Sequence, residues 1–372
     1  MRLTTNRIVQ SLVFVGLGLT VLYSFKTQPT SQVNRPKPQP WVIAFEQPFE
    51  LARPFSDGLA VIRTGGKYGY IDKTGQVVIE PQFDGAEDFS EGMACITINE
   101  KEGYINRRGE IVVKAQFEHA YDFTEGLAQV DLGPARTGYL DKNGKMVINA
   151  RGDSATQFSE GLAAIIGPGK TDRFNYIDQT GKIVINTQFT QATPFFEGLA
   201  CVRIEFIPMS SRGWGFIDRS GQIVIPPNFD SVGDKFSDGL VKVRVGRKWG
   251  YVDKTGKMLI GPRFDEAEDF SEGLALVKVL GTYGFIDKNG QYIVEPRFTY
   301  ASPFSEGLAA VCEQGKFGYI DRTGKFFIEP QFESADSFSE GLALVALNGR
   351  AVYIRLIKTE SVLKERALIQ VH

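Results

Sequence analysis

"FSEGLALVKVLGTYGFIDKNG" occupies residues 270–290, and the chain writes a close variant, "FSEGLAAVCEQGKFGYIDRTG", at 304–324. Aligned on the glycine of this F-S-acid-G-L-A segment, nine copies fall at Gly58, Gly92, Gly126, Gly161, Gly198, Gly239, Gly273, Gly307 and Gly341. Their spacings are 34, 34, 35, 37, 41, 34, 34 and 34 residues. A fixed period of this size marks a repeat architecture, in which one unit cannot bury its own apolar face and each copy covers the next. Repetition is therefore first a folding device.

Each unit reads as three short strands. The first runs G-L-A-x-V, and the fourth residue after the glycine is Ile or Val in all nine copies, which predicts a core-facing position. The second is aromatic-Gly-[Tyr/Phe]-[Ile/Val]-Asp, as in Trp249-Gly250-Tyr251-Val252-Asp253. An Asp-x-x-Gly turn follows, with Asp placed to accept from the backbone and Gly to take φ > 0. The third strand is a short apolar run that often ends in proline, which stops a ladder. A bend, F-x-x-A-x-x-F, carries two rings such as Phe83 and Phe89 into the next unit, as core plugs rather than a ligand cage.

The segments "KWGYVDKTGK" at 248–257 and "GWGFIDRSGQ" at 213–222 resemble the WG-repeat (KWG repeat) family of bacterial proteins. The resemblance covers about residues 41–354. The chain departs from the pattern by using Tyr or Phe more often than Trp, by Asn175 for one Gly, and by Glu102 and Thr137 for the aromatic. The resemblance implies a binding or interaction module, not an enzyme.

The array begins in a third strand, Trp41-Val42-Ile43, and ends in a second, Val352-Tyr353-Ile354. Such a split unit would seal a closed ring. Against closure, nine units exceed the usual four to eight blades, and a blade normally has four strands. The expected fold is all-β, an open superhelical array of three-stranded antiparallel repeats, with a closed propeller-like ring as the alternative. Residues 355–372 would then form a cap or tail, with a short helix from Glu360 to Leu368 covering the exposed edge.

The N-terminus differs from the rest. Residues 8–25, "IVQSLVFVGLGLTVLYSF", carry no charge and are long enough for a transmembrane signal-anchor after the short segment 1–7. No small-x-small cleavage site and no lipoprotein cysteine accompany them. Residues 26–40 hold four prolines and read as an extended tether. The positive charges flanking the span are nearly balanced; signal-anchors usually leave their N-terminus in the cytoplasm, which sets the array on the periplasmic side.

Of 372 residues, 42% are apolar and 23% charged, with a net charge of −2, so no basic field invites nucleic acid. Cys95, Cys201 and Cys312 form neither a disulfide framework nor a zinc spacing, and read as packing residues. No cofactor or metal is expected. The residue before each motif glycine is acidic in all nine copies. Stacked units would line these into a stripe for a cation or basic partner, but the favoured reading is an exposed turn whose acid caps backbone amides. Calcium-loop spacings are absent from the Asp-x-x-Gly turns.

Nearly all extra length falls in one loop type, between the first and second strands of three consecutive units: Leu132–Thr137, Gly167–Phe174 and Ile204–Gly213. These loops carry Arg136, Lys170, Arg173, Phe174, Phe206, Ile207, Met209 and Arg212, with Trp214 at the base. Basic groups mixed with apolar side chains on one edge of a repeat array suit a binding patch. The expected function is a membrane-anchored, non-catalytic protein-interaction module at the cell envelope. The alternative is a cell-wall glycan-binding module that stacks sugars on the aromatic-Gly rows, and it requires exposed Trp249 and Trp214. No nucleophile elbow, zinc-protease motif, P-loop or dinucleotide fingerprint points to an enzyme.

Overall fold

A computed structural model of the chain describes residues 39–357, apart from 47–48, 134–135, 152–153, 167–172 and 204–212. The described residues form nine antiparallel sheets, eight of four strands and one of three. In blade 1 the strands are Leu51–Ala52, Leu59–Thr64, Lys67–Asp72 and Val77–Phe83, paired in chain order. Blade 9 is composite. Its strands Ser334–Ala335, Leu342–Leu347 and Arg350–Leu356 are completed by Trp41–Glu46 from the start of the chain. Trp41 pairs with Leu356 and Glu46 with Val352, so the two ends of the array close a nine-bladed β-propeller.

This corrects the expected open array. The edge that a C-terminal cap would have covered is filled by Trp41–Glu46, and the strand Arg350–Leu356 runs two residues past the expected end of the repeats. It also corrects the three-stranded unit. The added strand, the first of each blade, is the Phe-to-Phe bend itself, only two residues long in most blades and too short for any periodic signal. The expected transmembrane segment, most of the tether and the capping helix lie outside the described residues. No helix among the described residues is long and apolar enough to cross a membrane.

Each strand-joining turn follows from its residues. The acid and glycine of S-[D/E]-G both take positive φ, the acids at 52–57°, which is the mirror-image turn whose twist suits a two-residue hairpin. In the Asp-x-x-Gly turn, Asp253 Oδ1 accepts from the amides of Thr255 and Lys257 at 2.9 and 3.0 Å. The aromatic-Gly glycine is required by the fourth strand, which crosses over it. A Cβ on Gly250 would lie 2.4 Å from the Ile260 carbonyl oxygen.

Blades are joined by three recurring devices. The ring after the glycine packs edge-on against a phenylalanine of the next blade, as Tyr70 on Phe89 at 4.8 Å and, across the closure, Tyr353 on Phe55 at 5.2 Å. Where that residue is tyrosine, its buried hydroxyl donates to a carbonyl of the next blade, as Tyr251 to Glu268 at 2.6 Å and Tyr353 to Arg53 at 2.6 Å. The motif serine donates to the phenylalanine carbonyl one blade on, as Ser237 to Phe270 and, at the seam, Ser339 to Phe55. Burial of these rings is the main stabilising term, at roughly 25 cal/mol per Å² of apolar surface.

Candidate functional site

The ring has two unlike faces. One carries the S-[D/E]-G and Asp-x-x-Gly turns. On it, all nine motif acids do one thing: each carboxylate accepts the backbone N–H of the next blade's motif glycine. Glu91 holds Gly126 at 2.9 Å, Glu125 holds Gly161 at 2.8 Å, Asp238 holds Gly273 at 2.8 Å, and Glu340 closes the circle on Gly58 at 3.0 Å. A base from the next blade's Asp-x-x-Gly turn commonly joins the pair, as Lys142 to Glu91 at 3.1 Å and Lys254 to Glu197 at 2.9 Å. Burial pushes the Glu91 carboxyl up, but Lys142 and the amides of Gly126 and Glu125 outweigh it and hold the group below its ordinary value. The acids therefore cap amides, as the sequence favoured, although the amides belong to the neighbouring unit. Among the described residues, no cluster of three or more metal-ligating side chains occurs.

The opposite face carries the loops between the second and third strands of each blade. Where this loop is a two-residue turn, an acid from the preceding inter-blade link pins it in every blade but blade 8, which has Thr299 at that place. Asp84 accepts from Asn99 N at 2.8 Å, Asp265 from Leu280 N at 2.8 Å, and Glu333 from Gly349 N at 3.0 Å.

The structure brings the bases of the three long loops to this one face, in consecutive blades 3, 4 and 5. Arg136 is exposed and donates to Asn149 Oδ1 at 3.2 Å. Arg173 and Phe174 are half-buried, with Phe174 packed on the core between blades 4 and 5. Trp214 is half-buried against the core between blades 5 and 6. Lys170, Phe206, Ile207, Met209 and Arg212 lie outside the described residues. The aromatic-Gly rows are not open platforms. Trp249 is half-buried with the Arg244 guanidinium over its ring at 5.8 Å, and Lys278 lies over Tyr283 at 4.9 Å. The three cysteines are buried, and burial pushes the Cys95 and Cys201 thiols up, away from the thiolate that a nucleophile needs.

Nine consecutive stretches of the chain, from residue 41 to residue 350, match the model of the WG containing repeat. The chain belongs to the WG-repeat family. Each match spans parts of two neighbouring blades, so the WG repeat and the blade are offset, as 214–249 and 249–283 illustrate. No curated protein sequence matches this WG-repeat propeller. Among solved structures, a crystal structure of a eukaryotic initiation factor is similar at a TM-score of 0.55 and 14% identity, over 78% of this chain and 89% of that one. BamB from Moraxella catarrhalis is similar at a TM-score of 0.44 and 12% identity, over 84% of this chain and 98% of that one. At such identity the first likeness bears on the fold alone, and the second carries no argument.

Proposed function

We propose that this WG-repeat propeller is a membrane-tethered, non-catalytic protein-interaction module of the cell envelope, and that it docks its partner on the loop face of blades 3, 4 and 5. The observation that carries this reading is the placement of nearly all inserted length on one face of three adjacent blades. Their loop bases hold Arg136, Arg173, Phe174 and Trp214. Surface loops on a rigid ring are where binding residues concentrate. Both ends of the array support the same reading. Ile357 N donates to the Pro40 carbonyl at 2.9 Å on the turn face, so the two ends of the described array meet on the side opposite the loops. Covered tryptophan faces weaken the glycan alternative, which needs them open.

The test is to shorten the three loops to the length of their siblings in the full chain and crosslink in intact cells. Specific protein adducts present with the native chain and absent from the shortened one support the reading. Adducts that survive loop shortening overturn the assignment of the face. Protease treatment of intact spheroplasts tests the compartment: an array cut only after lysis removes the periplasmic placement.

A further inference from the structure

The outer strand of every blade has one unpaired edge, a template for another chain unless it is guarded. In blades 1, 5, 6, 7 and 8 the strand carries a proline at one position, Pro81, Pro227, Pro262, Pro296 and Pro330. In blades 2 and 4 the register breaks twice along the strand. In blade 9 the strand ends at Glu46, two residues before Pro48. Blade 3 has none of these guards. Its outer strand, Met146–Arg151, contains no proline and breaks register only between Tyr139 and Leu140. From there the ladder runs unbroken to the loop face, pairing Ile148, Asn149, Ala150 and Arg151 with Tyr139, Gly138, Thr137 and Arg136.

The cause is in the sequence. Seven blades place a phenylalanine four residues after the buried Ile or Val of the outer strand, as Phe83 follows Ile79, and these rings are buried. Blade 3 has Gly152 at that place. Without the ring to draw it inward, the strand does not cross the third-strand glycine. A Cβ on Gly138 would meet the flexible Met146 sulfur, where its counterpart on Gly250 would meet strand backbone. Val147 is 43% exposed and Asn149 is exposed.

We propose that this straight edge receives an extended segment of a protein partner as a fifth strand of blade 3. The proposal rests on the reading above only for the partner being a polypeptide. Main-chain hydrogen bonds would supply the affinity, as in other strand additions. Charge sets the partner's chemistry. Arg136 stands at the loop end of this ladder, opposite the strand's last residue, and is exposed. An acidic side chain at the adjoining end of the added strand complements that exposed cation. A second copy of this chain is the weaker occupant, because a six-residue strand offers far less than the roughly 1,200 Å² of a stable interface.

The test uses the full chain in detergent and a pool of fluorescent heptapeptides that alternate Val or Thr with polar residues and carry Glu at one end. Matched pools are N-methylated on alternate amides, in either phase. Binding should fall at least tenfold for one methylated phase and persist for the other. Arg136→Glu should weaken the acidic pool at least fivefold, and Ala150→Pro, which installs the sibling proline, should abolish binding. A chain with the three loops shortened should still bind the pool, which separates this proposal from the loop-face reading. The proposal is overturned if the unmethylated pool does not bind, if both methylated phases bind equally, or if Ala150→Pro dissolves a dimer that had occupied the edge.

Discussion

Glu197 offers a direct measure of what couples one blade to the next. Its backbone sits at φ 52°, a left-handed conformation that costs a side-chain-bearing residue about 1–2 kcal/mol. Its carboxylate accepts Gly239 N at 3.1 Å and pairs with Lys254 at 2.9 Å. The amide bond to a charged acceptor contributes about 1.5–3 kcal/mol. The lysine pair adds at most about 1 kcal/mol, because both groups are a third or more exposed. Glu197→Ala keeps the left-handed cost and loses both contacts, for a net loss of about 2–3 kcal/mol. Glu197→Gly loses the same contacts but sheds the backbone cost, so it should be about 1 kcal/mol more stable than the alanine variant. Native-state hydrogen exchange at the Gly239 amide reads the local effect, and denaturant titration reads the whole. Exchange at Gly239 should accelerate by roughly ten- to a hundredfold in the alanine variant. The reasoning fails if the alanine variant matches the native chain, or if the alanine and glycine variants are equally stable.

The Asp-x-x-Gly turns predict an acid limb. The Thr255 hydroxyl and the amides of Thr255 and Lys257 hold the Asp253 carboxyl below its ordinary value. A depressed folded value gives stability that is complete above the unfolded value of about 3.9 and is lost as pH falls through the folded one. Urea midpoints between pH 5 and pH 2.5 should therefore fall less steeply for Asp253→Asn than for the native chain. Gly250→Ala drives a Cβ to 2.4 Å from the Ile260 oxygen and should cost upwards of about 1–3 kcal/mol. Gly138→Ala meets only the far ends of the Met146 and Leu132 side chains and should lower the melting temperature clearly less. Tyr353→Phe removes the hydroxyl bond to Arg53 across the seam and should cost about 0.5–1.5 kcal/mol by denaturant titration. Deleting residues 41–46 strips the partner strand from Arg350–Leu356 and should open the ring, read as a larger radius of gyration by X-ray scattering; an unchanged radius would refute the role of that strand.

Local chemistry was legible in the sequence wherever it acts within a few residues. The period, the hairpin turns, the capping aspartates and the core-facing Ile or Val follow from residue type and spacing, because a turn or an alternating strand is decided by its own backbone. The loop insertions were legible for the same reason, as interruptions of a count. The replacement of phenylalanine by Gly152 could have been read in that way too, since the residue simply breaks a column of the repeat. Three things were decided only in the tertiary structure. The first strand of each blade is two residues long in most blades and exists because a longer neighbour pairs with it. The motif acids show their partner only when the next blade brings a glycine amide, about 34 residues away, within hydrogen-bond reach. Closure, finally, is a sum over all nine blade-to-blade rotations. One repeat has the same local pattern in an open spiral and in a ring, and small packing differences at Tyr–Phe contacts accumulate until Trp41 meets Leu356.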